Sequence, residues 1–142
     1  MNARAKQLQP AVEQARQHSE EALAQLAAQQ QQLAKAEQQL EELRRYRQEY
    51  AAAGEGASTV GALLNRQKFV ERIDQAIAQQ TVEIARVQRQ FEHVRSRWHQ
   101  AHAREGALDS VIERYREQER LAEDRREQSD SDERAQYRRP RR

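Results

Sequence analysis

Leucine, valine and alanine return along the first fifty residues with an alternating spacing of four and three. The series runs Leu8, Val12, Ala15, Ser19, Ala22, Leu26, Gln29, Leu33, Ala36, Leu40, Leu43, Arg47 and Tyr50, and ten of these thirteen positions are apolar. Such a spacing keeps one stripe of a helix facing a partner helix, so it predicts a coiled-coil seam with Leu8 at d and Val12 at a. Pro10 fits this helix only in its first turn, where the missing amide proton leaves no bond unmade.

The stripe breaks between Ala51 and Ser58. There Gly54-Glu55-Gly56 supplies flexible backbone, and Ser58 or Thr59 can cap a new helix. It resumes as Leu63, Arg66, Val70, Ile73, Ile77, Gln80, Ile84, Val87, Phe91, Val94, Trp98, Ala101, Glu105, Leu108, Ile112 and Tyr115. The predicted fold is all-α: an antiparallel coiled-coil hairpin forming one domain over residues 1–130, with a first helix over 5–52, a loop over 53–58 and a longer second helix over 59–128. Folding about Gly56 pairs seam positions whose numbers sum to 113, which sets Ala15 against Trp98, Ala22 against Phe91, Ser19 against Val94 and Ala36 against Ile77. Large then meets small, as a close-packed interior requires. The poorest layer of that register sets Arg47 against Arg66, whose side chains would have to reach out to water.

In this register the first helix ends opposite Asp109. Residues 110–127 then project as a single helix of roughly 25 to 30 Å, at about 1.5 Å per residue, and their amides should exchange quickly. Val111, Ile112, Tyr115 and Leu121 on that segment would be left uncovered, which favours self-association as one alternative. From Ser129 the chain loses its periodicity, and 129–142 reads as a charged, disordered tail.

Composition agrees with a thin rod. Hydrophobic residues make up 37% and charged residues 34%, with 4 glycines and 2 prolines in 142 residues, a balance that cannot fill a thick globular core. Lysine and arginine number 25 against 23 acidic residues, so no broad cationic surface for nucleic acid is expected. With no cysteine there is no disulfide, no thiolate metal site and no cysteine nucleophile. No apolar run approaches the ~20 residues of a membrane span, and no signal-peptide core opens the chain, which points to the cytoplasm.

Candidate chemistry is sparse. Adjacent acids such as Glu41 and Glu42, or Glu123 and Asp124, diverge by about 100° around a helix, and two helices offer no enclosed pocket for catalysis. His99 and His102 stand one turn apart, but no third metal ligand accompanies them, and a solvated pair is the plainer reading. The tail Arg138-Arg139-Pro140-Arg141-Arg142 is a weak electrostatic signal whose plain reading is solubility. A second stripe near the loop says more. Gln39, Leu43, Tyr46 and Tyr50 step by 4, 3 and 4 on one helix, and Phe69, Ile73, Ala76 and Gln80 do the same on the other. Gln39, Tyr46, Phe69 and Ala76 are g positions, which flank one another in an antiparallel pair, so Tyr46 is expected beside Phe69 and Gln39 beside Ala76. Aromatics just outside a seam mark a protein-binding patch, or else a locally widened core.

Several segments together resemble the FliJ family of flagellar type III export proteins. They are Leu8-Gln9-Pro10-Ala11-Val12-Glu13, the run Gln39 to Tyr50, Leu64-Asn65-Arg66-Gln67-Lys68-Phe69 with Gln75-Ala76-Ile77 following, Trp98, and Glu123-Asp124-Arg125-Arg126-Glu127-Gln128 with Asp132-Glu133 after it. Their order around one short loop carries the likeness along nearly the whole chain. Gly106 and Ser129-Asp130-Ser131 depart from it, standing where the family has a charged helix and a more basic stretch.

The resemblance implies a non-enzymatic stalk without cofactor or metal. It would insert in the hexameric ring of the export ATPase (FliI), promote ring assembly, link the ring to the membrane export gate (FlhA) and serve as a general chaperone that meets export chaperones. It would be a free monomer in the cytoplasm, attached to the inner membrane only through the export apparatus. By analogy, Gln39, Leu43, Tyr46, Tyr50, Phe69, Ile73 and Ala76 would meet the gate. Leu8, Val12, Leu121, Glu123, Asp124, Arg125, Arg126 and Gln128 would meet the ATPase ring. A generic adaptor coiled coil, or the stalk of a virulence secretion system, shares the architecture and is the alternative.

Overall fold

A computed structural model describes residues 3–52 and 59–138. They form two helices, α1 (Ala3–Ala52) and α2 (Val60–Arg138), packed against each other as an antiparallel hairpin. The start of α2 is set by Thr59. Its hydroxyl accepts from the Ala62 amide at 3.1 Å, which satisfies an otherwise orphaned donor of the first turn, and its carbonyl accepts the first helical bond, from the Leu63 amide at 3.1 Å. The other expected cap, Ser58, and Gly54-Glu55-Gly56 lie outside the described residues. Pro10, expected in the first turn, is instead the eighth residue of α1 and lies in its third turn, because the helix already starts at Ala3.

The heptad frame is realised almost completely. Every one of the thirteen seam positions of α1 is buried or half-buried, and so is every α2 position except Leu63, which is 53% exposed. The core is thin. Its buried members are Ala5, Ala15, Ser19, Ala36, Ile73, Ile84, Val87 and Ile112, and no large side chain among the described residues is fully enclosed. Two helices can cover each other on one face only, so most seam side chains keep an edge in water.

The axial register differs from the expected one. Contacting partners have numbers that add up to 119 for Tyr50 with Phe69, 121 for Arg47 with Asp74, and 119 for Arg4 with Tyr115, where 113 was expected. The helices are therefore displaced by about seven residues, one heptad repeat, or ~10 Å. The displacement has a physical reason: it takes Arg47 away from Arg66 and gives it the carboxylate of Asp74 at 2.5 Å. A slide of this kind turns no apolar stripe outward, because each stripe repeats along its helix.

The chain divides into two compact units, Glu21–Trp98 and a unit of Met1–Glu20 with His99–Arg142. In the second unit the register corrects one expectation. Ile112 is 5% exposed, Ala5 is fully buried, and the Arg4 guanidinium lies 5.9 Å from the centre of the Tyr115 ring. α1 thus covers the segment expected to project from Ser110, and the uncovered face that favoured self-association is absent at Ile112. Exposure becomes continuous only from Glu123.

The expected disordered tail is also corrected. α2 runs on through Ser129 to Arg138, and residues 139–142 lie outside the described residues. Extending an existing helix costs far less than starting one, and Glu133, Arg134, Ala135 and Gln136 are good helix formers. Gln128 adds a bond to Asp132 one turn on, at 3.4 Å. Upstream, Arg86 with Glu83, Arg95 with Glu92 and Arg120 with Glu117 pair three residues apart along the same helix.

Two outcomes are expected. In hydrogen exchange, amides around Ile112 and Tyr115 should be protected well above those from Glu123 to Arg138; equal, rapid exchange in both would refute the register. Gly106 sits inside α2 with ordinary helical backbone, and nothing lies within 4 Å of an added Cβ. Gly106→Ala should accordingly raise stability by about 0.5 to 1 kcal/mol in urea denaturation.

Candidate functional site

The aromatic residues near the loop do come together, in a pairing different from the expected one. Phe69 stacks on Tyr50, with ring centroids 4.7 Å apart and planes at 11°, and Tyr50 contacts Tyr46 at 5.8 Å and 39°. Tyr50, a seam residue, thus takes the place beside Phe69 that was expected of Tyr46. The row runs from a half-buried ring outward, since Tyr46 is 49% and Phe69 38% exposed. Offset stacks of this type fix ring orientation beyond what area burial supplies.

Gln39 finds its observed polar partner in Gln80, one turn beyond the Ala76 expected beside it. Gln80 donates from its side-chain amide to the Gln39 side-chain oxygen at 3.2 Å and to the Ala36 carbonyl at 2.9 Å. Both differences follow from the same displacement of the helices. Gln39, Glu42, Leu43, Tyr46 and Gln80 line a shallow concavity of about 400 Å³ beside the ring row. Glu42 was missed in the sequence because it lies off both stripes.

Other expected patch residues fall differently. Ile73 is 6% exposed and belongs to the core, while Leu43 and Ala76 are half-buried. At the start of α2, Val60, Leu63 and Leu64 are 75%, 53% and 55% exposed. Their exposure was illegible in the sequence, since it depends on where α1 ends relative to α2.

Electrostatics at this end centre on Arg47 and Asp74. The carboxylate bonds the guanidinium and holds the Arg47 pKa above its ordinary value. Both side chains are about half exposed, so the pair directs geometry more than it adds stability. Farther along α2, the Arg86 guanidinium bonds Glu83 and holds its carboxyl below the usual range.

The second group of expected contact residues divides as well. Leu8 and Val12 are half-buried in the seam, whereas Leu121, Glu123, Asp124, Arg125, Arg126 and Gln128 are exposed. Among the described residues no three His, Asp or Glu side chains gather as a metal site, and no helix is long and apolar enough to cross a membrane.

No curated protein and no solved structure matches the chain. A family model described as "Flagellar FliJ protein" matches residues 4–142, which is nearly the whole sequence. The chain therefore belongs to the FliJ family, a family of non-enzymatic flagellar export components.

Proposed function

We propose that this protein is a coupling stalk of the flagellar type III export apparatus. In this reading it joins the hexameric export ATPase FliI to the membrane export gate FlhA, promotes assembly of the ATPase ring, and acts as a general export chaperone that also meets substrate chaperones. The observation that carries the reading is the family match over residues 4–142, found on a chain whose described residues form two packed helices. In this role the hairpin is asked for no chemistry of its own. Its mixed-charge surface suits repeated, shallow contacts inside a ring, because exposed ion pairs hold one orientation only weakly.

The gate contact is assigned to the loop end. Tyr46 and Phe69 offer exposed ring surface there, with Gln39 and Leu43 beside them and half-buried Tyr50 and Ala76 behind. Ile73 supports this surface from the core and touches no partner. Aromatic surface that is already ordered loses little conformational freedom on binding, which favours it as an anchor. The ATPase contact is assigned to the far part of α2, at Leu121, Glu123, Asp124, Arg125, Arg126 and Gln128. Leu8 and Val12 act there through the seam. The protein works in the cytoplasm and reaches the inner membrane through its partners.

The test is co-purification of FliI and FlhA from a flagellated cell, using the wild type and a Tyr46→Ala/Phe69→Ala variant. The expected result is that both partners accompany the wild type and that the variant loses FlhA while keeping FliI. Loss of both partners together, with helicity intact, would remove the assignment of separate ends. Absence of both from the wild type would remove the coupling role.

A further inference from the structure

We propose that the concavity beside the ring row receives one arginine side chain of the protein that docks at the loop end. This deepens the gate assignment and rests on it for who the partner is, but not for the chemistry of the guest. The first ground is the make-up of the walls. Gln39, Glu42, Leu43, Tyr46 and Gln80 line a space of about 400 Å³, which is the size of a ligand cleft, and Glu42 alone among them carries a charge.

The second ground is which polar atoms the walls leave over. The Gln80 side-chain nitrogen gives its two protons to the Ala36 carbonyl and the Gln39 oxygen, at 2.9 Å and 3.2 Å. That orients the Gln80 oxygen as an acceptor before any guest arrives, so little freedom is lost on binding. Glu42 has neither an ion-pair nor a hydrogen-bond partner among the described residues, whereas Asp74 is taken by Arg47 and Glu83 by Arg86. The donors left are the Gln39 nitrogen and the Tyr46 hydroxyl. The balance is towards acceptors, one of them a full negative charge, and it selects a cationic donor.

The third ground separates arginine from lysine. Glu42 and Tyr46 stand one turn apart on the same face of α1. The Tyr46 ring is 49% exposed and lies 5.8 Å from that of Tyr50, which stacks in turn on Phe69, so a flat apolar surface stands next to the carboxylate. A guanidinium is planar: it stacks on an aromatic ring and forks onto a carboxylate, while its aliphatic stem covers apolar surface such as Leu43. An ammonium is a point charge and matches only the carboxylate.

The test titrates N-acetyl-arginine amide into the full-length, isotope-labelled protein, with N-acetyl-citrulline amide as the uncharged isostere. Resonance shifts should saturate at the Leu43 and Tyr46 amides and the Gln80 side chain, and the citrulline compound should produce none. Glu42→Gln should weaken the affinity about tenfold, and added salt should weaken it in the wild type. Glu42 is exposed, so this variant keeps the hairpin, which its own spectrum verifies. Shifts spread evenly over other acids such as Glu41 and Glu123, or an affinity unchanged by Glu42→Gln, overturn the proposal. Self-association of the free protein that Glu42→Gln abolishes also overturns it, since a second copy would then occupy the concavity. The probe needs no FlhA. Its binding here together with failed co-purification removes the gate assignment and keeps the arginine site, and co-purification without probe binding does the reverse.

Discussion

Two facing stripes of apolar side chains, each repeating every seven residues, are the constraint on which this molecule depends. They decide which side of each helix is covered, and through that they decide almost every buried position from Ala5 to Tyr115. They leave the axial placement of one helix on the other open, because sliding by a repeat returns equivalent faces. That freedom is closed by a few polar side chains. Asp74 finds Arg47, and Gln80 reaches across to Ala36 and Gln39, so the arrangement of rings at the loop end follows from groups that contribute little to overall stability.

The thinness of the seam has its own effect on function. No large side chain among the described residues is fully enclosed, so most seam side chains keep an edge in water. What the chain offers is surface: a row of ordered rings beside a shallow concavity at one end of α1, and a charged single helix at the far end of α2. These features suit recognition of other proteins, in keeping with membership of a flagellar export family.

The sequence was legible where periodicity speaks and silent where it does not. Helix number, the end of α1 at Ala52, and the burial of Ala15, Ala36, Ile84 and Val87 could be read directly from spacing. Register could not, and each misplaced contact traces to it: Phe69 beside Tyr50 rather than Tyr46, Gln39 beside Gln80 rather than Ala76, Ile112 covered rather than bare. The clue was present in the layer that set Arg47 against Arg66. A repelling layer in an otherwise balanced stack is enough to favour another placement, whereas volume matching of alanines with large residues is satisfied in more than one. The helical run from Ser129 to Arg138 escaped for a different reason, since loss of apolar periodicity removes a packing signal and leaves helix propensity in place.

From Glu123 to Arg138 the side chains of α2 lie exposed, and their only duty to the fold is to remain helical. Substitutions there are uncoupled from the seam, so this surface can be rewritten residue by residue while the hairpin stays the same. The loop end has no such freedom, because Tyr50 serves the ring row and the core at once. The two ends of this chain therefore differ in how readily they can acquire a new specificity: the far helix can drift or be redesigned cheaply, and the ring row can change only together with the packing that supports it.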